Sequence, residues 1–111
     1  MSDTLPPSGA GRFATAYPQV WQCYSALGAA AAGAGALGAR ERRLVKLALA
    51  LGAGSEGAVH SHARQALGEG IPPEDLRQIC ILAITTLGFP AAMAGLSWVN
   101  DITQPDPGKE D

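Results

Sequence analysis

The segment SEGAVHSH, Ser55 to His62, holds a carboxylate (Glu56) and both histidines of the chain (His60 and His62) within about a turn and a half of helix. Only 16% of the 111 residues are charged, and the surroundings of this segment are apolar and rich in Ala and Gly. Histidine titrates nearer physiological pH than any other side chain, so this gathering points to proton transfer. Side chains four apart share a helix face, which makes Glu56 a neighbour of His60. In such a pair the carboxylate orients and charges an imidazole acting as general base or acid. A plainer use of the same pair is stability, worth about a few tenths of a kcal/mol at a helix start.

Ser55, Ala58 and His62 fall on a different face, roughly opposite. His62 joins Glu56 and His60 as a candidate catalytic residue, and Ser55 is the candidate for positioning substrate. Histidines two apart do not readily ligate one metal from a single helix, and the i, i+4 histidine spacing of helical metal sites is absent. A metal here needs ligands from another helix or chain. The expectation is therefore no metal and no cofactor. Neither a Ser-His-Asp arrangement nor a phosphate loop is legible.

The elements that position these residues read as helices throughout, and no alternating β-branched run suggests a sheet. A first helix is expected over about 15–32, with Val20, Tyr24 and Leu27 on one face and a loss of definition in the Gly/Ala run that follows. A second, from about Ala39, is apolar nearly all round and reads as buried. Gly52 and Gly54 end it, and Ser55 caps a third helix over about 56–67. Pro72 and Pro73, followed by Glu74 and Asp75, open a fourth that runs to Leu87. A final helix spans about 91–100. The fold class is all-α, a compact bundle of about five helices. Residues 1–13 read as a flexible segment, 14–102 as a single domain and 103–111 as a disordered tail.

Composition bounds the partners. Aromatic residues make up 5% and hydrophobic residues 47%, so the core is built from small aliphatic side chains that bury little area each. A small domain of this kind is marginally stable alone, and oligomerisation is the natural remedy. A net charge of −2 argues against nucleic acid. The basic cluster Arg40, Arg42, Arg43 and Lys46 reads as a solvated helix face or an inter-subunit contact. No stretch approaches about 18 uninterrupted apolar residues, so no membrane span is expected. With no leader legible, the expectation is a cytoplasmic protein with reduced thiols. Cys80, among Ile79, Ile81 and Leu82, reads as a buried inert thiol, and Cys23 beside Trp21 and Tyr24 reads the same way. Trp98 reads as a core or interface anchor.

Residues 40–100 carry an ordered set of motifs: RERRLVKLALA (Arg40 to Ala50), SEGAVHSH, ARQALGEG (Ala63 to Gly70), PPEDL (Pro72 to Leu76) and the Gly88-to-Pro90 G-x-P. This order resembles the carboxymuconolactone decarboxylase and alkylhydroperoxidase D-like superfamily, whose members show an RERELxxLA helix, CxxCxxxH, A-L-x-x-G and a PEE-type helix start. The resemblance implies an alkylhydroperoxidase D-like all-helical fold and assembly as trimers or hexamers with pockets at helix and subunit junctions. Ser55 and Ala58 stand where peroxidase-type relatives carry their two cysteines, His62 matches the family histidine, and Arg43 stands where those relatives carry a proton-relay acid. A thiol-disulfide cycle needs a thiolate and a resolving thiol, and the motif offers neither.

The expectation is therefore a cysteine-independent acid/base enzyme acting on a small organic acid or lactone. Two alternatives stand beside it: an alkylhydroperoxidase-like activity through Cys80 or Cys23, and a non-catalytic oligomeric module that binds a small ligand or partner protein through the helix bearing Trp98.

Overall fold

Proline and glycine set most of the helix boundaries. The computed structural model describes residues 8–104, and within them the chain parts into two compact units between Leu37 and Gly38. The sequence suggests a single domain over 14–102; the run from Gly33 to Gly38 is where the two units divide.

In the first unit, α1 covers Ser8–Ala16 and α2 covers Pro18–Ala32. The sequence suggests one helix from about Thr15. Pro18 divides it, because its ring disfavours helical geometry at the preceding residue, and Tyr17 sits at φ −133°, ψ 68°. Part of the segment expected to be flexible, residues 8–13, is helical; residues 1–7 lie outside the described chain. The Ala run sustains α2 as far as Ala32 despite Gly28. Ring pairs form along these helices, Phe13 with Tyr17 at 5.2 Å and Trp21 with Tyr24 at 5.5 Å between centroids. The expected apolar face of Val20, Tyr24 and Leu27 exists, and it is exposed.

The second unit contains α3 (Ala39–Gly52), α4 (Glu56–Gly68), α5 (Pro73–Leu82), α6 (Ile84–Leu87) and α7 (Phe89–Thr103). No strand occurs among the described residues. Glu41 starts α3 by accepting from the Gly38 N–H at 2.5 Å. Gly54, Gly70 and Gly88, at φ +67°, +87° and +98°, make the reversals that lead into α4, α5 and α7. The fourth expected helix is interrupted at Ala83, where the Thr85 hydroxyl donates to the Leu82 carbonyl at 3.5 Å. The last helix is longer than its sequence suggests, starting at Phe89 and including Thr103; residues 105–111 of the expected tail lie outside the described chain.

Helix α4 packs against both α3 and α7, and α5 packs against the same two. Leu47, Val59, Leu76, Cys80 and Val99 are the largest fully buried side chains, with Ala50, Ala63, Ala66 and Ala92 filling between them. Gly95 allows the closest approach: a Cβ there would stand 1.8 Å from Leu51 Cδ1. Contrary to the all-round burial expected of it, α3 buries only Leu47, Ala50 and Leu51, and leaves Val45 and Leu49 exposed. No helix among the described residues is long and apolar enough to cross a membrane.

Candidate active site

Helix α4 carries all four residues singled out from the sequence and presents them on two flanks. At its start Ser55 is the N-cap, its Oγ accepting from the Ala58 N–H at 3.3 Å. The Ser55 hydroxyl still has its proton to give. Glu56 lies in the first turn, where its charge complements the exposed N–H groups.

On the flank toward α7, His60 Nε2 is 3.0 Å from Asp101 Oδ2, and Glu56 completes the group one helical turn before His60. His60 is half-buried, while both carboxylates are exposed. If the carboxylate accepts from Nε2–H, the lone pair of Nδ1 is left basic. Glu56 and His60 share the expected flank, with donor atoms within 4.8 Å, but the carboxylate that bonds His60 is that of Asp101. Asp101 carries no local signal in the sequence, since it lies on α7, far along the chain from His60.

On the flank toward α3, His62 Nδ1 lies 2.8 Å from the Arg43 guanidinium nitrogen Nη1. A guanidinium is always charged and only donates, so Nδ1 must accept, and the ring is neutral with its proton on Nε2. The rest of Arg43 is fixed by Glu69, at 3.0 and 2.8 Å, and by the Gln65 Oε1, at 3.0 Å. Burial pushes the His62 pKa below its ordinary value, and the charges of Arg43 and then Lys46 push the same way against a smaller opposing effect of Glu69. Glu69 is itself lowered, chiefly by its hydrogen bond from Arg43.

Arg43 therefore differs from the solvated residue that the basic cluster suggests: its side chain is 17% exposed and tied into α4. Arg40 likewise reaches α5, 2.6 Å from Asp75 Oδ2. Gln65 and Glu69 escaped the sequence reading, although they follow His62 at i+3 and i+7 and so share its flank. His60 and His62 are not brought to one point by α4; each meets its partner on a different neighbouring helix.

The thiols divide as well. Cys80 is buried on α5, and desolvation pushes its pKa up to about 11. Cys23, expected to be buried, is exposed on α2.

The model of the carboxymuconolactone decarboxylase family matches residues 18–101, a span that includes Arg43, α4 and Asp101. The chain belongs to the carboxymuconolactone decarboxylase family. An uncharacterized protein of Haemophilus influenzae is 41% identical over 56 residues, half of this chain and half of that protein. The chain thus matches about half the length of that curated relative. No solved structure matches. The matched span of the carboxymuconolactone decarboxylase family includes both partners of the Arg43–His62 contact.

Proposed function

We propose that this carboxymuconolactone decarboxylase family member is a cysteine-independent enzyme acting on a small organic acid or lactone. The observation that carries this reading is the Arg43–His62 contact of 2.8 Å. By occupying Nδ1 it leaves His62 with one outward function, an Nε2–H donor. Arg43 and Lys46 add positive potential around it. A neutral imidazole in a cationic setting suits an anionic or carbonyl oxygen on which charge develops, and removing such a donor costs about 10²–10³ in rate. Ser55 has a hydroxyl proton to orient the same class of substrate. Glu56 with His60 and Asp101 supplies a separate acid/base group on the other flank of α4.

The thiol-based alternative has little to draw on, because Cys80 is buried with a raised pKa. The partner-binding alternative through Trp98 is likewise weakened, as that residue is only part-exposed and packs on the core. Exposure of Tyr24, Leu27, Leu49 and Phe89 supports assembly as a homo-oligomer, and the proposal is of a trimer or hexamer working in the cytoplasm. The decisive experiment is turnover of a panel of small carboxylated lactones by the wild type and by His62→Ala. Decarboxylation or ring opening by the wild type, lost in the variant, is expected. No turnover of any lactone, or equal rates in both proteins, overturns the reading.

A further inference from the structure

We propose that Glu56, His60 and Asp101 form a binding site for a divalent transition-metal ion of the Zn²⁺ type. One donor atom from each residue can be chosen so that all three lie within 4.8 Å of one another. Two come from α4, one helical turn apart, and the third comes from α7, which packs against it. The group is thus a cross-helix set containing an imidazole rather than a run of surface acids.

The distances suit such an ion. Donors about 2.1 Å from a metal stand about 3.0 Å apart when they subtend a right angle and about 3.4 Å apart in a tetrahedron. His60 Nε2 and Asp101 Oδ2 are 3.0 Å apart, so both can ligate one ion once the exposed Asp101 carboxylate swings off the axis of the Nε2 lone pair. Glu56 is exposed, and its side-chain torsions can carry its carboxylate inward. One nitrogen and two carboxylate oxygens match Zn²⁺, Co²⁺ or Mn²⁺, whereas Ca²⁺ takes six to eight oxygens and Mg²⁺ keeps much of its water. Two carboxylates balance the charge of the dication. Three protein ligands leave at least one position for water, the arrangement of an open site.

The site leaves the Arg43–His62 contact in place, because it uses the other histidine and the other flank of α4, and an ion bound there takes over the acid/base group proposed above from the same three residues. Binding to ligands on two packed helices also links occupancy to folding.

The test is titration of the tag-free, EDTA-treated full chain with CoCl₂, followed by visible absorption, and with ZnCl₂, followed by calorimetry. One saturating equivalent per chain is expected, with zinc displacing cobalt and a rise in Tm. His60→Ala and Asp101→Asn each weaken binding at least about tenfold. Glu56→Gln, at an exposed position, weakens it several-fold and keeps the fold intact, so it decides the matter if either other variant unfolds. His62→Gln and Cys23→Ser bind as the wild type does. The proposal is overturned by the absence of a saturable cobalt spectrum, by wild-type affinity in Glu56→Gln together with whichever of the other two folds, or by loss of binding in Cys23→Ser or His62→Gln instead.

Discussion

Arg43 and His62 share one hydrogen bond 2.8 Å long, although each is a side chain that commonly carries positive charge. The contact is compatible only with a neutral ring, and it dictates which nitrogen holds the proton. Burial and the nearby cations favour the same state. Replacing Arg43 with Met removes the donor, so the His62 ring is expected to sample both tautomers. Ring ¹⁵N shifts report this directly; a single Nε2–H tautomer persisting in Arg43→Met contradicts the assignment.

The same contact separates a donating His62 from a basic one. A Gln amide nitrogen can stand close to where His Nε2 stands and can donate, but it cannot accept a proton at neutral pH. His62→Ala is expected to lose about 100-fold in kcat/KM on a responsive lactone, and His62→Gln to stay within about tenfold of the wild type. Equal loss in the two variants assigns His62 a base's role instead.

Glu69 provides a pH signature. Its folded pKa is lowered, first by the hydrogen bond from Arg43, so its contribution to stability is present above the unfolded carboxyl pKa and is lost as pH falls through the folded value. Glu69→Gln is therefore expected to flatten the acid limb of a Tm-against-pH curve while changing its alkaline limb little. Superimposable acid limbs refute the linkage.

Ser55 caps α4, and the substrate contact proposed for it is separable from that cap. Losing its cap costs about 1 kcal/mol, so Ser55→Ala is expected to lower Tm, and Ser55→Asp to restore it. KM is expected to rise in both, since neither offers a hydroxyl proton. A KM unchanged in both variants leaves Ser55 as a cap alone.

The thiols are expected to label in two phases. Cys23 is exposed and reacts at once with a maleimide, whereas Cys80, buried and with its pKa pushed up to about 11, reacts only on unfolding. Two fast equivalents in the native protein contradict the burial of Cys80.

The helical class, the caps and the shared flank of Glu56 and His60 were legible because all are local: Gly and Pro mark most of the ends, and residues four apart share a face. Asp101 was not legible, since its proximity to His60 is made by the packing of α7 on α4. Arg43 was visible only as one of a basic group, because nothing on α3 itself distinguishes the cation that turns toward α4. The break at Tyr17 was within reach, as Pro18 forbids a continuous helix there, whereas the break at Ala83 has no comparable marker. The exposure of Leu49 and Val45 cannot be read from hydropathy, which gives the apolar character of a residue and not which neighbour covers it.

The two rings leave α4 about 200° apart around its axis, with their partners on opposite neighbours. The helix is thus pinned from two sides, by Arg43 of α3 on one ring and by Asp101 of α7 on the other.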